Sequence, residues 1–246
     1  YNDVVYNEKS FYQPITHPWR VQNENNIGVL FAVKKKYKIS NYLLASETIK
    51  EYSEGDELRK GIKYTYNNRG LIKSSLENID NGIGETKMTN VYYPDDITTI
   101  NSLPNGSLAT APFNAFIALK QKNNINTPVQ INTFKNNQLI FTKRALYKNW
   151  GNNIILPCIV QTAKAANNLE DKIIYNLVDT SNGNYLEAQQ QNGAKISYIW
   201  GYNKTLLIAK IENAAYTDIP LTTINNLQSK SNSDTEANLI IALNNL

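Results

Sequence analysis

The stretch from Lys172 to Asn213 constrains the fold most, because short runs of strand-forming residues alternate there with turn signals. The four runs are Lys172–Tyr175, Tyr185–Gln191, Lys195–Trp200 and Leu206–Ile211. Their β-branched and aromatic residues fit a pleated, half-buried surface. The connections are too short for a parallel crossover, which needs a dozen or more residues. The stretch therefore predicts an antiparallel meander.

Glycine and asparagine mark the predicted turns. Asn192-Gly193 predicts a type I′ turn, whose two central residues both need a positive φ. Gly183 and Gly201 mark the turns on either side, and Gly70 is expected to supply a positive φ at the exit of an earlier hairpin turn. Aromatic side chains beside the turns are expected to cover them with apolar surface, namely Tyr66, Tyr175, Tyr198, Trp200 and Tyr202.

Three motifs carry a family resemblance: Gly183-Asn-Tyr-Leu, Ile196-Ser-Tyr-Ile-Trp-Gly-Tyr-Asn and Ile208-Ala-Lys-Ile-Glu-Asn. They resemble the RHS/YD-repeat proteins, and more closely the large YD-repeat surface or secreted proteins of Bacteroidota, chiefly flavobacteria. The resemblance extends from about Tyr147 to Tyr216. One departure is Asn176, which stands where an Asp usually follows the repeat Tyr. These motifs are turn and strand residues, so they indicate an architecture and no particular activity.

The resemblance implies a large exported protein whose antiparallel sheets curl into a shell or an extended platform. Such proteins serve adhesion or contact-dependent competition between bacteria, and many carry a toxin beyond the shell. The resemblance also implies export by the type IX route and a location outside the cell or on its surface. The chain begins at Tyr1, in what already reads as strand sequence, so we expect a fragment of a longer polypeptide.

The rest of the chain extends the same pattern. Further hairpins are expected before residue 147, and helical spacing of Phe113, Phe116 and Ile117 predicts one internal helix at about 111–123. Leu221–Leu246 lacks aromatic residues and shows helical spacing. We therefore predict a mainly β fold of antiparallel hairpins over residues 1–216, forming a curled sheet or shell wall. Residues 217–246 are expected to form a linker and a helical tail leading out of that domain.

The amino-acid composition limits the kinds of binding site and covalent cross-link that this chain can form. Only 19% of the 246 residues are charged, and the net charge of +4 is too weak and scattered to indicate nucleic-acid binding. There is one Cys, Cys158, and one His, His17, so an internal disulfide and the common His- or Cys-rich zinc centres are excluded for this chain. No apolar run approaches the length that spans a bilayer. No cofactor or metal site is predicted.

Three functional hypotheses follow. The first is a non-catalytic structural module whose partner is the remainder of its own polypeptide or a co-assembled surface complex. The second is a carbohydrate- or surface-binding module using Trp19, Trp150 and Trp200. The third is a glycoside-acting enzyme, which needs only two carboxylates; the available ones include Glu47, Glu51, Glu85, Glu170 and Glu187. The first hypothesis is preferred, and it predicts no catalytic residues.

Overall fold

The computed structural model describes residues 2–14, 32–53, 56–80, 84–233 and 235–245. The first two strands, β1 (Asn2–Pro14) and β2 (Ala32–Leu43), pair with each other in an antiparallel ladder. The next eleven strands form one open antiparallel sheet, in which each strand pairs with its neighbours in sequence. They are β3 (Ser46–Ser53), β4 (Asp56–Tyr66), β5 (Ile72–Asp80), β6 (Glu85–Tyr92), β7 (Gln130–Lys135), β8 (Gln138–Asn149), β9 (Ile155–Lys164), β10 (Glu170–Val178), β11 (Tyr185–Gln190), β12 (Lys195–Gly201) and β13 (Leu206–Glu212).

Three helices accompany the sheet in the described ranges. Helix α1 (Thr110–Gln121) lies between β6 and β7, and α2 (Leu221–Ser233) and α3 (Glu236–Leu243) follow β13. The prediction of a mainly β antiparallel meander with one internal helix and a helical C-terminal segment is confirmed. The described helices are all too short or too polar to cross a membrane.

Asparagine accounts for most of the left-handed backbone conformations. Twelve non-glycine residues in the described ranges have a positive φ, and nine of them are Asn. Its short amide side chain hydrogen-bonds locally and tolerates this conformation better than most L-residues do. The abundance of Asn in the sequence therefore reflects the many tight turns that a long meander requires.

Helix α1 builds the first hydrophobic core. Its buried residues Ala115, Phe116 and Leu119 pack with Tyr147 of β8 and Ile155 of β9, together with the flanking residues Ile97, Leu103, Leu108 and Val129. The rings of Phe116 and Tyr147 are 5.6 Å apart and tilted, a favourable arrangement for two aromatic quadrupoles. This core fixes the segment between β6 and β7 against the sheet.

Helices α2 and α3 build a second core around β12. Ile199 is fully buried beneath Ile224 and Leu227 of α2 and Leu239 of α3. The residues after position 216, which were expected to lead out of the domain, thus pack back onto the sheet. Strands β7–β13 with the three helices are called the covered half below.

Strands β3–β6 differ from the covered half. No described side chain of these four strands is buried, and Ile49, Tyr52 and Ile72 are exposed. The strands are nevertheless joined by continuous backbone pairing to β7. We call β3–β6 the uncovered half.

Candidate functional site

Three hairpin turns lie at the same end of the sheet, because β8, β10 and β12 run in the same direction in an antiparallel meander. They comprise residues 150–154, 179–184 and 202–205, and we call them the turn row. Asn152 Nδ2 donates a hydrogen bond to the Thr180 carbonyl at 3.1 Å, and Asn184 Nδ2 donates to the Lys204 carbonyl at 2.7 Å. Amide side chains therefore connect each turn to the next.

Asp179 is the ionisable centre of the turn row. Its Oδ2 accepts from Lys204 Nζ at 2.8 Å, and its Oδ1 accepts from the Ser181 backbone N–H and hydroxyl at 2.9 and 2.6 Å. Burial opposes ionisation, but these bonds outweigh it and lower the pKa of Asp179 to about 2. The carboxylate thus holds the β10–β11 turn in shape and ties it to the β12–β13 turn.

Gly183 closes the β10–β11 turn. It has a φ of 87°, and its N–H donates to the Asp179 carbonyl at 2.8 Å. A Cβ at this position would lie 3.4 Å from Leu156 Cδ1 of β9. Conformation is the main reason for glycine here, because an L-residue rarely adopts this φ.

Gly201 is glycine for a different reason. Its φ is not positive, but a Cβ here would lie 2.8 Å from both Ser231 Cβ of α2 and Ile208 Cγ2 of β13. The next residue, Tyr202, donates its N–H to Ser231 Oγ at 3.0 Å. Gly201 therefore allows α2 to approach the backbone at the end of β12.

The Asn192-Gly193 turn lies at the opposite end of the sheet and is not of type I′. The Gly193 N–H donates to the Gln190 carbonyl at 2.9 Å, so the central residues are Gln191 and Asn192. Only Asn192 has a positive φ, 57°. The prediction of a type I′ turn is therefore wrong, because the tight turn begins one residue earlier than the Asn-Gly pair suggested.

Gly70 lies in the β4–β5 turn of the uncovered half, with a φ of 78°. Asn67 organises this turn: its Oδ1 accepts from the N–H groups of Arg69 and Leu71, both at 3.0 Å. The Tyr66 hydroxyl donates to the Leu44 carbonyl at 2.7 Å. Tyr66 thus links the end of β4 to Leu44, which lies just before β3.

The remaining predicted aromatic residues lie on the last strands. Tyr175 of β10 stacks on Tyr185 of β11, with ring centroids 4.1 Å apart, and the Tyr185 hydroxyl donates to the Pro157 carbonyl at 2.9 Å. Burial raises the pKa of both phenols. Tyr198 is half-buried on β12, whereas Tyr202 in the turn row is 40% exposed.

Both described tryptophans bond to the backbone. Trp150 Nε1 donates to the Leu156 carbonyl at 3.3 Å, and Trp200 Nε1 donates to the Tyr185 carbonyl at 2.8 Å. Lys148 Nζ lies 4.7 Å from the Trp150 ring centroid, in cation–π range. Trp19 and His17 lie outside the described residues.

The five glutamates considered for glycoside chemistry are distributed over four strands, with Glu47 and Glu51 both on β3, Glu85 on β6, Glu170 on β10 and Glu187 on β11. Glu47 accepts from the Tyr64 hydroxyl at 2.5 Å, while Glu85, Glu170 and Glu187 each pair with a lysine of their own or a neighbouring strand. Within the described ranges, no group of three or more His, Cys, Asp or Glu residues could hold a metal ion.

Glu187 is the most enclosed of these carboxylates and connects β11 to the C-terminal segment. Asn176 Nδ2 donates to its Oε1 at 3.0 Å, and the Tyr216 N–H donates to its Oε2 at 2.9 Å. Burial opposes ionisation, but these donors and Lys195 lower the pKa of Glu187. Asn176, the departure from the repeat pattern, therefore supplies a donor where an Asp would place a second carboxylate.

Sequence reasoning missed a buried polar cluster formed by Gln130, Asn132, Thr142 and Arg144. Arg144 Nε donates to Gln130 Oε1 at 2.6 Å, and its Nη2 donates to the Pro104 carbonyl at 2.8 Å, with longer bonds to residues 105 and 106. Burial lowers the pKa of Arg144 to about 10, so the guanidinium stays charged at neutral pH. Arg144 thus binds the loop before α1 to the sheet through carbonyl groups.

Cys158 lies on β9 and is half-buried. Its thiol donates to the Leu146 carbonyl at 3.4 Å. Burial raises the pKa of the thiol, which disfavours the nucleophilic thiolate.

Comparison with known proteins adds no relative to this description. No family model, curated protein or solved structure matches the chain.

Proposed function

We propose that this chain is a structural β-sheet module of a large exported protein of RHS/YD-repeat type, and that it has no catalytic role. Such a module forms part of the β-sheet wall of a larger platform or shell. That wall serves either adhesion or the enclosure of an effector used in competition between bacteria. The observation that carries the proposal is the strictly sequential pairing of eleven strands, which continues the hairpin pattern of the YD-like motifs along the chain.

The polar side chains of the turn row support a structural role. Asn152, Asp179, Asn184 and Lys204 hold neighbouring turns together, and each makes a hydrogen bond within the turn row. A group already engaged in a structural bond is less free to act on a substrate. The hydrogen bonds of the turn row therefore favour a structural role for these side chains over a catalytic one.

The uncovered half supports a partner for the module. Sheets in stable domains normally bury at least one face, yet the described side chains of β3–β6 are all exposed or half-buried. We propose that the remainder of the same polypeptide, or a co-assembled surface component, lies on this half in the native particle. Such a partner would bury the side chains of β3–β6 that are exposed in this chain alone.

A test of location and size uses antibodies raised against the purified chain and applied to the cells that produce it. The proposal expects a native polypeptide much longer than 246 residues, labelling of intact cells, and loss of the signal when intact cells are treated with a protease. A cytosolic marker protein, which should survive that treatment, is the control. A short polypeptide that is protected inside intact cells would contradict the proposal.

A test of the non-catalytic role uses the purified chain with a panel of chromogenic α- and β-glycosides. The proposal expects no turnover above a heat-denatured sample. Reproducible turnover that is lost on replacing one of the glutamates with Gln would favour the enzyme hypothesis instead. Sugar stacking on Trp150 and Trp200 has less support, because both side chains are half-buried and Lys148 Nζ lies over the Trp150 ring.

A further inference from the structure

A cavity lined mainly by polar residues lies where the uncovered half meets the segment that leads to α1. Its volume is about 340 Å³, within the size range of small-molecule sites, and it opens to solvent. Its lining comprises Lys73 and Ser74 of β5, Asn90, Val91 and Tyr92 of β6, and Asp96 and Ser102 beyond β6. All of the lining positions lie outside the turn row and outside the Arg144 cluster.

Some of the lining groups are already engaged. The Ser102 hydroxyl accepts from the N–H groups of Thr98 and Thr99 at 2.9 and 2.8 Å, and Asp96 Oδ2 accepts from the Tyr93 N–H at 2.8 Å. These bonds fix the wall formed by residues 93–102. The Ser74 hydroxyl shares a hydrogen bond with the Thr65 hydroxyl at 2.7 Å.

Other groups retain hydrogen-bonding capacity. Among the described residues, the Asn90 amide, the Tyr92 hydroxyl and the Lys73 ammonium have no hydrogen-bond partner, and Asp96 has a second carboxylate oxygen. The Tyr92 ring packs partly against the α1 core, which holds it in place. Burial, with the nearby Asp96 carboxylate, raises the pKa of Tyr92, so its hydroxyl remains a donor at neutral pH.

The arrangement of charge favours an uncharged ligand. Lys73 and Asp96 are exposed, whereas Ser74, Asn90, Tyr92 and Ser102 are half-buried. One positive and one negative group at the rim cancel, and the deeper groups are uncharged amide and hydroxyl groups that can both donate and accept. Sugar hydroxyls have this same dual character, while a phosphate would gain no net attraction from a rim on which Asp96 offsets Lys73.

We propose that this cavity binds a neutral monosaccharide, free or as the terminal unit of a glycan. Asn90 and Tyr92 would bond to its hydroxyl groups, with Lys73 and Asp96 at the rim. The inference does not rest on the structural function proposed above. A ligand of this size and polarity is expected to bind with a dissociation constant of about 1 mM or weaker.

The test is titration of the ¹⁵N-labelled protein by NMR with glucose, galactose, mannose and N-acetylglucosamine, each up to roughly 50 mM. At least one sugar is expected to give saturable shifts centred on β5, β6 and residues 93–102. Asn90→Ala and Tyr92→Phe should each weaken binding by roughly tenfold, because each removes a hydrogen bond that would be buried beneath the ligand.

Matched controls are Asn78→Ala on β5 and Tyr52→Phe on β3, since both side chains are exposed and lie outside the cavity lining. These variants should bind like the parent protein. Tyr92→Phe removes one oxygen atom and keeps the core contact, so it remains informative if Asn90→Ala folds poorly by circular dichroism. Glycine and inorganic phosphate serve as charged probes.

Three results would overturn the proposal. One is the absence of saturable shifts with all four sugars. Another is sugar binding that both cavity variants leave unchanged. The third is tighter binding of glycine or phosphate than of any sugar, which would assign the cavity to a zwitterion or an anion.

Discussion

The uncovered half and the covered half share one hydrogen-bonded ladder, but apart from Tyr92 at the end of β6 only the covered half is packed against helices. Every buried apolar side chain among the described residues lies at position 93 or beyond. Backbone pairing and turn chemistry are therefore enough to extend this sheet, whereas the apolar cores form only where the chain supplies a helix to cover it. Stability is expected to be concentrated in the covered half, because burial of apolar surface is the dominant favourable term in folding.

The largest difference is expected from truncating core side chains in each half. Phe116→Ala removes a fully buried ring from the α1 core and should lower the free energy of unfolding by about 4 kcal/mol. Leu76→Ala, at a half-buried site on β5, should cost less than about 1.5 kcal/mol. Urea denaturation measures both values. Equal losses would show that the two halves are equally well packed.

A smaller difference is expected from adding one methyl group at two strand glycines. Gly201→Ala places a Cβ against Ser231 and Ile208 and should cost about 2 to 3 kcal/mol. Gly61→Ala on β4 meets no atom within 4 Å and should change stability by less than about 0.5 kcal/mol. If the α2 contact is the cause, adding Ser231→Gly to Gly201→Ala should restore part of the loss. If stability is not restored, the contact of the added methyl group with Ile208 of β13 is the main cause of the loss, not the contact with α2.

The third comparison concerns two arginines. Arg144→Met leaves the Gln130 side-chain oxygen and the carbonyls of residues 105 and 106 without their donor, and should cost about 2 kcal/mol. Arg69→Met breaks an exposed pair with Asp95 at 3.1 Å in the uncovered half, and should cost less than about 0.5 kcal/mol. Thermal melting monitored by circular dichroism gives both values. A larger loss of stability from Arg69→Met would contradict the expectation that stability is concentrated in the covered half.

The smallest effect concerns pH. The pKa of Asp179 is depressed to about 2, so its stabilising contribution is complete above its ordinary pKa near 4 and is lost as the pH falls towards 2. Asp179→Asn should lower the melting temperature by about 3 °C or less at pH 6 and flatten the dependence between pH 4 and pH 2. Lys204→Met should shift the acid-sensitive range upward. If the melting temperature depends on pH in the same way for the parent protein and both variants, Asp179 is not the cause of the loss of stability in acid.

The sequence predicted the ladder well because turn chemistry is local. Lys195–Trp200 and Leu206–Ile211, predicted as strands, correspond to β12 and β13 almost residue for residue. The error at Asn192-Gly193 arose because Asn192 alone adopts a left-handed conformation, so the turn starts one residue earlier. A short hairpin signal locates a turn more reliably than it specifies the turn type.

The tertiary features could not be predicted in the same way. Gly201 reads as a turn residue, but its constraint comes from Ser231, thirty positions later in the chain. The Arg144 cluster left a faint signal, since Gln130 and Asn132 alternate on one strand and Thr142 and Arg144 alternate on its partner. Nothing in that pattern shows that a loop would bury those four polar side chains. Asn90 and Tyr92 also alternate on β6, and nothing in that spacing predicts the β5–β6 cavity.

Sequential strand order has a consequence for how such a sheet is made. A chain that emerges gradually from a ribosome or an export channel can add each new strand to the one released just before it, and long loops rarely have to close. The insertion containing α1 is the main interruption in this vectorial growth, and the first hydrophobic core forms there. A meander of this kind can therefore assemble progressively as the chain emerges, and α2 and α3, which come last, can cover β12 after it has joined the sheet.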